Sequence, residues 1–189
     1  MHAPELGVAL LRLARGAIEQ SYGLANVCTP SPAHEALALP GATFVTITQR
    51  GDLRGCIGSL EAYRALSIDV RENAVAAAFR DTRFAPIARA ELTRVSVEVS
   101  LLTAAQPMAF KSEDDLLAQL RPGVDGVILR YASYRSTFLP QVWKSFPDAR
   151  EFLAHLKQKA GLPADFWASG IGISRYEVSK WKEAEFQQA

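Results

Sequence analysis

The stretch Thr43-Phe44-Val45-Thr46-Ile47-Thr48-Gln49-Arg50-Gly51-Asp52-Leu53-Arg54-Gly55-Cys56-Ile57-Gly58 decides the fold class. Thr43 to Thr48 is built from β-branched and aromatic residues, Gln49-Arg50-Gly51-Asp52 is turn chemistry, and Leu53 to Ile57 resumes an extended pattern. That order predicts a β-hairpin, and so an antiparallel pairing. Arg50-Gly51-Asp52 also spells a tripeptide associated with cell adhesion, but Gly-Asp is what a hairpin turn demands, and the turn reading is preferred. Gly58 and Ser59 break the strand, after which Leu66, Val70, Ala74, Ala77 and Ala78 form the stripe of a helix ending near Arg80.

Outward from the hairpin, Leu6, Leu10, Leu13, Ala14 and Ala17 recur at spacings of three and four, an amphipathic helix covering a core. The proline-bearing run from Cys28 to Pro40 reads as a surface connection. Val95, Val97, Val99 and Leu101 alternate with Ser96, Glu98 and Ser100, a strand with one buried face. Ser112 and Asp115 resemble a capping box ahead of Leu116, Leu117 and Leu120, and Pro122-Gly123 stops that helix. Asp125 to Tyr131 and Arg135 to Leu139 predict a second hairpin. Phe152, Leu153, Leu156 and Ala160 mark a further helix closed by Gly161 and Pro163. Arg175 to Trp181 alternates and is expected to return as one strand to the main sheet. Hairpins outnumber strand-helix-strand units, so the fold class is α+β, a mostly antiparallel sheet flanked by helices.

Composition narrows the function classes. The 189 residues are 49% hydrophobic and 22% charged, enough apolar material for one compact unit or a core with a small insertion. Lys plus Arg is 21 against 20 for Asp plus Glu, a net +1 that supplies no field for polyphosphate backbones, so no nucleic-acid partner is expected. Two cysteines, Cys28 and Cys56, do not make a secreted disulfide framework. Charges interrupt the N-terminal apolar residues and no run of about 18 apolar residues exists, so a cytoplasmic protein with no membrane partner is expected. His2, His34 and His155 lack metal-site spacing, which leaves the metal and cofactor expectation at none. His155 flanks an apolar stripe and reads as a partly buried helix histidine.

If Leu53 to Ile57 is extended, Arg54 and Cys56 share one face while Leu53, Gly55 and Ile57 share the other. A cation beside a thiol favours the nucleophilic thiolate, and Gly55 and Gly58 would let a substrate approach the backbone. Cys56 is then the best nucleophile candidate. The competing reading makes it a small apolar residue of the sheet, with Gly55 and Gly58 marking a bulge or bend. Asp81-Thr82-Arg83-Phe84 offers a carboxylate and a guanidinium able to orient a charged substrate or hold Arg54, or else a helix-terminating turn with a surface ion pair. Glu98 lies on the polar face of its strand, a general base if that face lines a cleft and a solvated residue otherwise. Neither a phosphate loop nor a nucleophile elbow occurs.

Leu-Arg-Gly-Cys-Ile-Gly at 53–58, Asp-Thr-Arg-Phe-Ala-Pro at 81–86, Val-Glu-Val-Ser-Leu-Leu at 97–102, Pro-Gly-Val-Asp-Gly at 122–126 and Thr-Phe-Leu-Pro-Gln-Val at 137–142 resemble, in order, the AMMECR-one domain family (AmmeMemoRadiSam system protein A). The resemblance covers nearly the whole chain. It implies an α+β fold with a larger subdomain containing both termini, a smaller inserted subdomain, and a cleft between them. Through the system name it implies a Memo-like and a radical-SAM partner. By matching positions Arg54, Gly55, Cys56 and Gly58 carry over as the hallmark, with Asp81, Arg83, Glu98 and Gln141 as supporting members and Ser59 where threonine is more usual. Of these, Cys56, Arg54, Asp81 and Glu98 are the candidate catalytic residues, and Gly55, Gly58, Ser59, Arg83 and Gln141 the substrate-binding candidates. The expected function is an enzyme with Cys56 as nucleophile or covalent carrier acting on a small molecule or a protein; the alternative is a non-catalytic ligand-binding or adaptor subunit.

Overall fold

The computed structural model describes residues 4–24 and 34–186; Cys28 and His2 lie outside them. The chain divides into two compact units, one of the residues up to Leu102 together with those from Ser179, the other Thr103–Val178.

The first unit is built on a four-stranded sheet of order β2-β1-β3-β8, with β1 Ala42–Gln49, β2 Asp52–Gly58, β3 Val95–Leu102 and β8 Val178–Lys182. Helices α1 (Pro4–Gln20) and α2 (Leu66–Phe79) lie against it. Leu6, Leu10, Leu13 and Ala14 of α1 and Leu66, Val70, Ala74 and Ala77 of α2 bury against Val45, Ile47, Val97 and Val99, so only one sheet face forms the core. β1–β2 and β1–β3 are antiparallel, and the α+β class holds for this unit. The hairpin turn is Arg50-Gly51, both at positive φ (54° and 92°), the backbone that a two-residue connection between twisted strands requires.

One irregularity governs the rest. From the turn, Gln49 pairs with Asp52 and Thr48 with Leu53, but Ile47 pairs with Gly55, so Arg54 is an extra residue in β2. This is a β-bulge. It corrects the expectation that Leu53 shares a face with Gly55: Leu53 lies opposite Thr48 on the outer face, while Gly55 and Ile57 keep the core side opposite Ile47 and Val45.

A buried polar network ties α2 to the hairpin. The fully buried Asp69 carboxylate accepts from Thr43 N (2.8 Å), Thr43 Oγ1 (2.7 Å) and Asn73 Nδ2 (2.9 Å) on one oxygen, and from Ser59 Oγ (2.7 Å) and Arg64 Nε (2.9 Å) on the other. At the far edge, Glu183 accepts from Arg15 and from Val97 N (2.8 Å), holding the chain just beyond β8 against α1 and β3.

In the second unit, β4 (Gln106–Pro107), β5 (Gly126–Tyr131), β6 (Tyr134–Phe138) and β7 (Gly172–Tyr176) form an antiparallel sheet of order β4-β7-β5-β6, accompanied by α3 (Glu113–Gln119) and α4 (Ala149–Ala160). Asp148 caps α4 and Gly161, at φ 87°, ends it. His155 is half-buried and stacks on Phe146 at 4.0 Å. The single strand expected over 175–181 is two: β7 belongs to the second sheet and β8 to the first, because Glu177 interrupts the ladder between them. No described helix is long and apolar enough to cross a membrane.

Candidate functional site

The bulge determines where Cys56 points. Counted straight from the turn, Cys56 would oppose the fully buried Val45; with Arg54 inserted it opposes Thr46 instead. Its thiol therefore leaves the core face and lies 3.3 Å from Thr46 Oγ1, half-buried and not in a disulfide. Thr46 in turn opposes Glu98 on β3, and Glu98 bonds Lys180 Nζ of β8 at 2.8 Å with Lys182 Nζ at 3.8 Å. Cys56, Thr46, Glu98 and Lys180 thus form a polar row across all four strands on the face opposite the α1 and α2 core. At one inter-strand spacing per step, Cys56 and Glu98 are about 10 Å apart, too far for direct proton transfer.

The backbone of Cys56 faces the open edge of β2, where Asp81 and Arg83 close it. Asp81 Oδ2 accepts from Cys56 N at 2.9 Å, and Arg83 Nη2 donates to Cys56 O at 3.3 Å. Arg83 also grips both Asp81 oxygens, Nε to Oδ1 at 2.9 Å and Nη2 to Oδ2 at 2.7 Å, so the pair mimics a neighbouring strand at one residue. The Arg83 guanidinium, with help from the Cys56 and Arg83 amides, holds the Asp81 carboxyl far below the usual carboxylate range against a burial that pushes it up. Asp81 is a fixed anion with no lone pair to spare for proton transfer.

A folded pKa lowered in this way stabilises the protein fully above the unfolded value, and the contribution is lost as pH falls through the carboxylate range toward the folded one. Because Arg83 is 56% exposed, its Coulomb share is screened. Asp81→Asn is accordingly expected to cost about 1–2 kcal/mol above about pH 5, the gap narrowing steadily below about pH 4. Urea midpoints of both proteins across that range check it; a gap independent of pH rules the clamp out.

The Arg54 guanidinium is engaged by the loop that follows residues 81–84. Its Nε and Nη2 bond Glu91 at 3.0 and 3.2 Å, Nη1 donates to Ala85 O at 2.7 Å and Nη2 to Pro86 O at 3.3 Å. Arg54 in turn is the main cause lowering the Glu91 carboxyl, with the Ala88 amide second. The bulged residue serves to pin the 85–91 loop to the hairpin, so its hydrogen bonds go to that loop. The glycines are likewise spent on packing. A Cβ on Gly55 would strike the Ala77 carbonyl oxygen of α2, and one on Gly58 would strike the Phe44 ring and Thr43 O, so the gaps expected to admit substrate are filled by protein. Ser59 is buried in the Asp69 network. Gln141 stands exposed on the short 3-10 turn Pro140–Lys144 of the second unit.

Thr46, Lys180 and Lys182 were not singled out by sequence reading. Alternation about the core-facing Trp181, which lies against Gly7, is the signal that places both lysines outward. Among the described residues, no three His, Cys, Asp or Glu side chains gather as metal ligands.

A family profile described as AMMECR1 matches residues 11–181. A protein of Methanothermobacter thermautotrophicus is 37% identical over 180 residues, 94% of this chain and 94% of its own. Protein MJ0810 of Methanocaldococcus jannaschii is 36% identical over 185 residues, 96% of this chain and 92% of its own. Among solved structures, the crystal structure of the uncharacterised protein PH0010 from Pyrococcus horikoshii matches with a TM-score of 0.81 at 31% identity, over 94% of this chain and 91% of that one.

Proposed function

The chain belongs to the AMMECR1 family, and from that premise we propose that it is a cytoplasmic enzyme in which Cys56 is the nucleophile or covalent carrier, working with a Memo-like and a radical-SAM protein. The observation that carries the reading is the bulge at Arg54, which turns Cys56 out of the core and against Thr46 Oγ1. A cysteine with only a packing role gains nothing from an inserted residue that takes it off the buried face. Asp81 and Arg83 then act as positioning residues, holding the Cys56 peptide while its thiol reacts. The Thr46 hydroxyl, 3.3 Å from the sulfur, can hydrogen-bond it and fix its direction. The partners rest on the family resemblance alone.

The hexapeptide also supports a second reading. Arg54, Gly55 and Gly58 are engaged in loop anchoring and packing, which suits a non-catalytic adaptor whose motif shapes a surface. Mass spectrometry of wild type and Cys56→Ser, each purified from cells carrying the system, separates the two. The enzyme reading expects an adduct on Cys56 of the wild type that the variant lacks. The adaptor reading expects both proteins to retain the same partners with no adduct. Full function of Cys56→Ala in those cells would sink the covalent role.

A further inference from the structure

We infer that the Cys56 face of the first sheet selects a small substrate bearing an oxyanion, a carboxylate or a phosphate, drawn by Lys180 and Lys182 at one end of the polar row and by Arg83 at the other. The inference rests on the reading of Cys56 as the reacting group, and it names the substrate class for that group.

The charges on this face do not cancel. Asp81 is fully committed, both oxygens being occupied by Arg83 and the Cys56 amide. Glu98 is the remaining carboxylate of the polar row, and it is shared between two ammonium groups, Lys180 at 2.8 Å and Lys182 at 3.8 Å. Each ammonium has three donors, and these lysine side chains are 38% and 49% exposed, so most of their hydrogen-bonding capacity faces outward. At the other end of the row, Arg83 Nη1 has no partner among the described residues, while Nε and Nη2 are fixed by Asp81 and Cys56 O. Three cations therefore face two carboxylates, and the spare donors lie on the cations. An acceptor-only group, an oxyanion, satisfies them; a cationic or apolar substrate leaves them unmet.

The placement fits a small molecule. Lys180 is bonded to Glu98, which sits two strand spacings, about 10 Å, from Cys56, and Arg83 touches Cys56 itself. A substrate whose electrophilic carbon meets Sγ can put its oxyanion within range of either end. Glu98 holds the two lysines together between these ends, a positioning role in place of the proton acceptor expected of it.

Alkylation with a matched pair of reagents reads the selectivity directly. Iodoacetate and iodoacetamide carry out the same step: the Cys56 sulfur forms a bond to carbon, the carbon–iodine bond breaks, iodide leaves and the thiol proton passes to solvent. They differ in charge. Relative to a neutral cysteine peptide, the iodoacetate to iodoacetamide rate ratio at Cys56 is expected to be raised about threefold or more, as one net charge at about 8 Å gives in a partly aqueous setting. Raising ionic strength from about 0.01 to 0.3 M is expected to erode it. The variant Lys180→Gln/Lys182→Gln is expected to lose most of the increase. A ratio equal to that of the peptide, or one indifferent to both lysines, overturns the inference.

A second arm does not need a reactive thiol. In Cys56→Ser, sodium acetate or inorganic phosphate is expected to raise the melting temperature beyond sodium chloride of equal ionic strength, and the lysine double variant is expected to abolish the difference. Which salt acts identifies the oxyanion. No effect of either salt rejects the anion site, whereas a salt effect in a protein whose Cys56 proves dispensable keeps the site and rejects the nucleophile.

Discussion

Gly55→Ala is expected to destabilise the protein by about 3 kcal/mol or more and to lower its melting temperature by something on the order of 10 °C. The added Cβ would occupy the space of the Ala77 carbonyl oxygen, part of the α2 backbone, and no side-chain rotation can relieve that overlap. Either α2 lifts off the sheet or β2 bows away from it. Both separate Val70, Ala74 and Ala77 from Val45 and Ile47 in the principal core of the first unit. Leu53→Ala, at an exposed position in the same strand, is the control and is expected to change stability by less than about 0.5 kcal/mol. Thermal and urea unfolding of both variants test the pair. If Gly55→Ala keeps its stability but loses function, the glycine is there for substrate access after all, and close helix-strand packing is not its reason.

That result would bear on how far the sequence could be read. The hairpin, its Arg50-Gly51 turn, the stripes of α1, α2 and α4 and the alternation of β3 are local patterns, and each is found at its expected place. The bulge is not a local pattern. Nothing in Leu53-Arg54-Gly55 announces an extra residue, yet one residue changes which face Cys56 takes, from beside Val45 to beside Thr46. A straight count from the turn buries the thiol. Alternation within β2 alone puts Arg54 on the face of Cys56, but the Arg54 guanidinium bonds the 85–91 loop. Arg83, 27 residues along the chain, is the guanidinium that reaches Cys56. Such partners are set by how the loop after α2 folds back on the edge of β2, a tertiary matter that spacing does not encode. The division of 172–182 between two sheets is equally non-local, since β7 and β8 have similar compositions and differ only in what they pair with.

Asp69→Ala is expected to have the largest effect of all, about 3–5 kcal/mol. This carboxylate is 0% exposed and receives donors from Thr43, Ser59, Arg64 and Asn73, which lie on four separate segments: the start of β1, the residue just past β2, the loop before α2 and α2 itself. Deleting it leaves an arginine half-compensated by Glu72 and strands buried donors with nothing to bond. The amide of Asp69→Asn does not rescue them, because its NH₂ would face donors on one side; a loss of about 2–4 kcal/mol is expected there too. Ser59→Ala removes only one donor and leaves the carboxylate four others, so it is expected to cost about 1 kcal/mol. Urea unfolding of the three variants checks the order Ala, Asn, then Ser59→Ala; equal losses would mean that the donors act independently and that no network exists. A clue was available in the sequence, since Asp69 and Asn73 fall four residues apart within the apolar stripe Leu66, Val70, Ala74 and Ala77. Polar residues one turn apart on a buried stripe must bond to each other or to what they pack against. Here they bond to Thr43 and Ser59, the residues that begin and end the hairpin, and so brace both ends of the strands that present Cys56.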